Sequence, residues 1–392
     1  MSTGTTAGRP SLEGPRTLLR NARAVDATGA VENAWVLFVG DTIRATGSGA
    51  EAPGADEVLD LAGATLVPGF VDLHGHGGGG AAYDGDRDAI RQALATHRRH
   101  GTTRSVLSLV ASPIPVLAAS LRAIRTLAAA DPLILGAHLE GPFLSPENRG
   151  AHHPDHLIPP TPSNVRALLH AGDGVLRQIT IAPELKGADT AIPALADAGV
   201  VVAVGHTVAD FDTARRAFDL GATMLTHAFN AMPGIHHRRP GPIMAAVADE
   251  RVTLELILDG VHVAPVVAQT LLRAAPGRVA LITDSMAAAG SPDGDYRLGD
   301  LAVTVTGGVA HLAGTETIAG STLTQDVALR IAVEQAGLSL PEAVAALTSI
   351  PAAALGLADR FGRLAPGYAA DAVVLGPDLR VRQVWAAGSL LS

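Results

Sequence analysis

His138-Leu139-Glu140-Gly141-Pro142-Phe143 is the stretch from which the rest of the chain can be read. An apolar run, Leu133-Ile134-Leu135-Gly136-Ala137, leads into it, and a proline-punctuated loop bearing three histidines, residues 145–156, follows. A carboxylate placed where a buried strand runs out into a loop is costly unless something positive lies against it. Glu140 therefore asks for a cation, a role a metal ion would fill. The question for the fold is which other strand ends point at the same spot.

Outward from this stretch, short Val/Ile/Leu-rich runs alternate with amphipathic helical segments. The strand candidates are residues 66–74, 105–110, 133–140, 178–182, 200–205, 223–227, 253–258 and 279–284. Such runs suit parallel strands covered on both faces. Helical patterns at 86–100, 113–130, 210–219 and 264–275 fall between them. Eight units of this kind predict a (β/α)8 TIM-like barrel, an α/β fold for which ~250 residues is typical. A doubly wound open sheet is the alternative. Against it, no glycine-rich phosphate turn follows the first strand, because Gly75 to Gly80 is interrupted by His76 and opens no helix.

The two chain ends read differently. Residues 17–61 and 372–385 hold short strand-like runs between glycine and Asn/Asp turns, which suits antiparallel pairing. Neither end makes a core alone, so both are expected to pair. The predicted organisation is a loose tail at 1–16, a small β-sandwich domain from 17–65 and 366–392, and the barrel over 66–365. A hairpin at 301–312 is placed beside the barrel mouth, followed by helices at 322–336 and 341–348.

At 392 residues, with 47% hydrophobic and 17% charged residues, the composition is globular. No apolar run reaches the ~20 residues a membrane helix needs, and residues 1–16 lack the apolar core of a secretory signal. The expectation is a cytoplasmic protein without a membrane partner. The absence of cysteine excludes disulfides, thiolate metal sites and cysteine nucleophiles. A net charge of -9 argues against a nucleic-acid partner. Lys186 is the only lysine.

In a barrel of this kind chemistry sits at the C-terminal strand ends. Those ends carry His74 and His76 (strand one), Glu140 (three), His206 (five), His227 (six) and Asp284 (eight), with His262 just beyond strand seven. Polar residues accumulate at any barrel mouth, but four histidines and two carboxylates at successive ends exceed that background. Imidazole and carboxylate are ligands for zinc and other first-row divalent ions. A metal makes hydroxide available at neutral pH, and Asp284 is then the natural proton shuttle. His97, His100 and His170 fall on helices and His311 in the hairpin, where surface or packing roles are expected.

These residues also match a known family. Pro68-Gly69-Phe70-Val71-Asp72-Leu73-His74-Gly75-His76-Gly77 resembles the first-strand motif of the amidohydrolase superfamily. Five further stretches narrow it: the opening stretch, Gly205-His206-Thr207, the run from Thr226 to Pro233, Asp259-Gly260-Val261-His262 and Thr283-Asp284-Ser285-Met286. Together with Ile318-Ala319-Gly320-Ser321 they are similar to the N-acetylglucosamine-6-phosphate deacetylase family, over nearly the whole chain from Thr17.

The resemblance implies that Glu140, His206 and His227 hold a divalent metal and that Asp284 acts as general base and then acid. His152 would stabilise the developing oxyanion of the acetamido group. Ala151, Asn230, Ala231, Arg238, His262 and the backbone of Ile318, Ala319 and Gly320 would contact the phosphorylated amino sugar. Family members are usually homodimers in which the arginine matching Arg238 reaches the neighbouring site. The pair His74 and His76 resembles members able to hold a second ion, with Glu140 bridging, so one or two ions, zinc or iron, are expected. Independently of the family, His236-His237-Arg238-Arg239 is a dense basic cluster whose guanidinium forks suit phosphate oxygens. Many superfamily members bridge two metals with a carboxylated lysine after strand four. Lys186 lies past that strand end and is read as a solvated loop residue. The alternatives are the same chemistry on N-acetylgalactosamine 6-phosphate or another amide, and a non-catalytic barrel scaffold. Either loop, 77–83 or 145–156, is long and polar enough to act as a lid.

Overall fold

The structure is a computed structural model and describes residues 14–392. Most of the expected N-terminal tail lies outside the described residues. Its last residue, Arg16, already begins a strand, Arg16–Asp26.

The centre is a parallel barrel. Its strands are β1 (Phe70–Asp72), β2 (Thr102–Val110), β3 (Ile134–Glu140), β4 (Leu176–Ile181), β5 (Val201–Val204), β6 (Met224–Leu225), β7 (Thr253–Ile257) and β8 (Val279–Ile282), hydrogen-bonded to one another in chain order. All nine residues of β2 are buried, as expected of a strand with helices on one side and the barrel interior on the other. The seam between β8 and β1 closes beyond the strands proper. Gly75 bridges Ser285, Asp284 N donates to His74 O at 2.8 Å, and His76 N donates to Ser285 O at 2.7 Å. Side chains add to this seam: Thr283 Oγ1 donates to Asp72 Oδ2 at 2.6 Å. The barrel predicted from the strand-helix rhythm is borne out.

The helices pack outside. Arg87–Arg99 starts where the Asp86 carboxylate accepts the N–H groups of Asp88 and Ala89. Ile114–Ala130 turns Leu117, Leu121, Ile124 and Leu127 inward, at the three-to-four spacing of one helical face. Four further helices, Pro162–Ala171, Ala188–Asp197, Gly241–Val247 and Ser349–Ala354, were not marked by the sequence pattern. Ala188–Asp197 carries Pro193 inside it, which reads as a break. No helix among the described residues is long and apolar enough to cross a membrane.

Both chain ends build one curled eight-stranded sheet around a core that includes Leu19, Phe38, Ile43, Leu66, Val374 and Trp385. They meet where Thr65–Pro68 pairs antiparallel with Ala372–Leu375. Here the sequence reading needs correction. The run 66–74, read as one barrel strand, is cut at Gly69: Thr65–Pro68 belongs to the end sheet and only Phe70–Asp72 to the barrel. Gly69 sits at the crossing point, where a Cβ would lie 2.2 Å from Thr103 Oγ1 and 2.9 Å from Asp371 Cβ. Beside it, a buried ion pair ties barrel to sheet. Arg104 donates to both Asp371 oxygens, at 2.6 and 3.0 Å, and to Pro132 O at 2.6 Å.

The hairpin expected at 301–312 is part of a three-stranded sheet, Gly294–Leu298, Leu301–Thr306 and Val309–Leu312. Its apolar face (Leu298, Val303, Val305, Ala310) packs on Val110, the last residue of β2, and on Met286, past the end of β8. That contact sets it at the barrel mouth.

Candidate active site

The strand ends converge on the Glu140 carboxylate. Oε1 lies 3.3 Å from His74 Nε2, 3.1 Å from His206 Nε2 and 3.0 Å from His227 Nε2. Oε2 lies 3.1 Å from His76 Nε2 and 3.3 Å from His152 Nε2. Asp284 Oδ1 stands 3.2 Å from His76 Nε2 and 3.5 Å from His74 Nε2. All seven side chains are buried. Ligand atoms of His74, His76, Glu140 and Asp284 lie within 4.8 Å of one another, and so do those of Glu140, His152 and His206.

Backbone conformation aims several of these groups. His206, His227 and Asp284 have φ of 48°, 24° and 46°, a left-handed region that non-glycine residues enter at a cost. Each of these three residues stands two positions past the end of its strand, β5, β6 or β8. Gly205 lets β5 approach β6 closely, since a Cβ there would sit 2.6 Å from Thr226 Cβ. His152 arrives on the 145–156 loop.

Hydrogen-bond partners on the far ring nitrogens assign the protons. His206 Nδ1 faces Asn148 O at 2.9 Å, and His74 Nδ1 faces Glu255 Oε2 at 3.1 Å. Only an N–H satisfies those acceptors, so each ring, when neutral, turns its Nε2 lone pair toward Glu140. His152 is the reverse: its Nδ1 accepts the Ala111 N–H at 3.2 Å, so Nε2 carries the proton. Two imidazole nitrogens, those of His206 and His227, also lie 3.0 Å apart. Lone pairs set against a carboxylate repel unless a cation joins them, so the donor set fits a divalent metal. His152, by contrast, presents a donor.

Protons can take a cation's place in this cluster: burial lowers His74, but the Glu140 and Asp284 carboxylates outweigh it and hold the ring well above the usual imidazole value. Burial by itself raises the Glu140 carboxyl, yet His74 and the hydrogen bonds of His152, His206 and His227 hold it well below the ordinary range. Burial lowers His76, but its bonds to Asp284 and Glu140 outweigh this and push it up to about 9. Burial prevails at His206, which falls to about 4. Asp284 is held below its ordinary value by His74 and His76 against the opposing effect of burial.

Beneath these groups runs a hydrogen-bonded layer. His138 bridges Ser108 Oγ and Thr180 Oγ1, each at 2.9 Å, and Thr180 continues to Thr226 at 2.9 Å. Burial holds His138 well below the usual imidazole value, hence neutral. Glu255 and Gln178 complete the layer at 2.7 Å. Sequence reading assigned no role to His138, Glu255 or Gln178. Glu255 had a signal, as the one charge inside Thr253-Leu254-Glu255-Leu256-Ile257-Leu258.

Above Glu140 opens a cavity of about 400 Å³, lined in part by Ala151, Asn230, Ala231, His262, Ile318 and Gly320. Glu147, Asn148, Leu298, Glu316 and Thr317, not singled out from sequence, also line it. Ala319 does not; its side chain is buried in the core of the three-stranded sheet. Within the chain Arg238 is not brought to this cavity, but lines a separate one of about 550 Å³ with Phe211 and His236. His262 Nδ1 pairs with Asp259 Oδ2 at 2.7 Å. Burial would lower His262, but Asp259 and then Asp284 raise it, favouring the charged ring. His97, read as a helix histidine with a surface or packing role, is buried, donating through Nε2 to Gly77 O at 2.9 Å beside His76. His100 pairs with Asp326 at 3.0 Å. Lys186 is exposed beyond β4.

The amidohydrolase family pattern matches residues 65–391. This chain belongs to the amidohydrolase family. It is 38% identical over 331 residues to N-acetylgalactosamine-6-phosphate deacetylase of Escherichia coli O157:H7, covering 83% of this chain and 88% of that one. To N-acetylglucosamine-6-phosphate deacetylase of Bos taurus it is 37% identical over 350 residues, 86% of each chain. Among solved structures, a variant of N-acetyl-D-glucosamine-6-phosphate deacetylase from Mycobacterium smegmatis, in complex with N-acetyl-D-glucosamine-6-phosphate, is similar at 45% identity. Its TM-score is 0.92, over 96% of this chain and 100% of that one. The family read from the motifs is thus borne out, and the chain is an amide-bond hydrolase of this amidohydrolase family.

Proposed function

We propose that this amidohydrolase removes the acetyl group of N-acetyl-D-glucosamine 6-phosphate, giving D-glucosamine 6-phosphate and acetate. The observation that carries the mechanism is the opposite proton placement on two imidazoles meeting one carboxylate: a lone pair on His206, an N–H on His152. Glu140, His206 and His227 would hold one divalent ion, and His74 and His76 with Glu140 a second. Histidine and carboxylate ligands suit zinc and iron. A bound ion there supplies a Lewis acid and lowers the pKa of bound water toward ~7.

The chain's own groups account for the rest. Asp284, kept ionised beside His76, takes a proton from the attacking water as its oxygen bonds to the acetamide carbon. The His152 N–H stabilises the negative charge that develops on the carbonyl oxygen. Asp284 then returns the proton to nitrogen, the C–N bond breaks, and the amine and acetate leave. Asn230, Ala231 and the backbone of Ile318 and Gly320 would hold the sugar, with His262 near its phosphate. Arg238, exposed and outside its own chain's cavity, is free to serve a neighbouring subunit in a homodimer.

A second reading, the galacto epimer as substrate, is favoured by the name of the Escherichia coli relative. Acetate release should be measured from both phosphorylated sugars and from unphosphorylated N-acetylglucosamine. Preference for N-acetylglucosamine 6-phosphate by several orders of magnitude over the unphosphorylated sugar is expected. Faster turnover of the galacto epimer would exchange the two readings, and no turnover of either phosphorylated sugar would refute both.

A further inference from the structure

Glu255 stands mid-strand in β7 with no exposed surface. Its Oε2 accepts from His74 Nδ1 at 3.1 Å and from the His227 backbone N–H at 3.4 Å. Its Oε1 accepts from Gln178 Nε2 at 2.7 Å, and among the described residues no arginine or lysine pairs with it. A buried carboxylate is costly unless it is hydrogen-bonded to a group that can carry the opposite charge. His74 is that group. Its other nitrogen, Nε2, lies 3.3 Å from Glu140 and 3.5 Å from Asp284.

We infer that Glu255 is a positioning residue for metal binding by His74: it fixes the proton on Nδ1, turns the Nε2 lone pair into the cluster, and adds negative charge beneath the β1 half of the site. The inference rests on the metal-dependent reading given above. Gln178 takes part by pinning Oε1, which leaves Oε2 to His74. The Oε1 atom of Gln178 has no partner among the described residues, so its amide is oriented by Glu255 alone. The β5 and β6 half is braced otherwise, His206 by a backbone carbonyl that no side-chain substitution removes. Glu255 should therefore act chiefly on the His74 half, since it touches the other only through the His227 backbone N–H at 3.4 Å.

Glu255→Gln tests this, because it removes the negative charge and sets an NH2 against the Gln178 Nε2 donor, or against His74 if the amide turns over. Zinc binding to metal-stripped protein is titrated against a chelator for the wild type, Glu255→Gln, His74→Asn and the double variant. The expected result is that Glu255→Gln weakens the ion sensitive to His74→Asn by roughly 10–100-fold, the usual size of such outer-partner effects. The ion sensitive to His206→Asn keeps its affinity, and the double variant is no weaker than His74→Asn alone. Should Glu255→Gln fail to fold, Gln178→Met provides the milder form, with a smaller loss at the same ion. Unchanged zinc affinity, equal weakening of both ions, or additive effects in the double variant would overturn the inference. A wild type that binds no zinc would overturn the metal reading itself, and this inference with it.

Discussion

The two halves of the histidine cluster share Glu140 but are built by different means. His74 and His76 stand beyond β1 on a floor of side chains: Glu255 and Gln178 beneath, with Asp72 and Thr283 sewing the adjacent seam. His206 and His227 are set by the main chain, through two left-handed residues, a glycine squeezed between strands and the carbonyl of Asn148. A half held by side chains can be retuned or dismantled by single substitutions without moving a strand. A half held by backbone changes only when the strand ends move. On the proposed metal reading, the contrast would place the indispensable ligands on β5 and β6 and the adjustable ones on β1.

Substitutions at the meeting point should have the largest effect. Asp284→Asn keeps the shape but cannot accept a proton, so kcat should fall by ~10²–10⁴-fold while zinc stays bound at His206 and His227. Near-normal acetate release from that variant would remove Asp284 from its role. His152→Gln comes next, because it meets the carboxylate as a donor and not as a ligand. Its kcat should drop ~10²–10³-fold with zinc content unchanged by elemental analysis; loss of zinc would make His152 a ligand.

Gly205→Ala probes the backbone-held half. A Cβ lying 2.6 Å from Thr226 Cβ must push β5 from β6. Overpacking of this kind costs about 1–3 kcal/mol, so Tm should fall and zinc affinity at the His206 site should weaken. A variant with wild-type Tm and affinity would show that the strand spacing does not hold that half.

The smallest effect concerns pH. Burial lowers His262 but Asp259 raises it further, so the ring is charged below the raised value and loses its charge as pH climbs through it. Its contribution to folding stability follows the same sign, complete below the unfolded value of about 6.5 and lost above the folded one. KM for the phosphorylated sugar should rise with pH across that window, and Asp259→Asn should move the rise to lower pH. A KM profile that is flat in both proteins would separate His262 from the phosphate.

Much of this was legible because strand ends write their chemistry next to an apolar run. Glu140, His206, His227 and Asp284 each follow a short Val/Ile/Leu stretch, and the structure brings them together. Glu255 was passed over although the argument that singled out Glu140 applies to it equally: a carboxylate inside a buried strand needs a partner. His138 is harder, since a neutral histidine between two hydroxyls leaves no mark on an apolar pattern. The boundary at Gly69 was hidden because strands of two different sheets run on without a polar break. Pro193 concealed a helix, since the ring forbids one hydrogen bond while the apolar face survives at Ala191, Ile192 and Leu195.

The measurement that bears most directly on the whole account is turnover of N-acetylglucosamine 6-phosphate by chelator-stripped protein before and after zinc is restored. The lone-pair geometry around Glu140 predicts no acetate from the stripped protein and recovery as the His206 and His227 site fills. Full acetate release from protein shown by elemental analysis to be metal-free would contradict it.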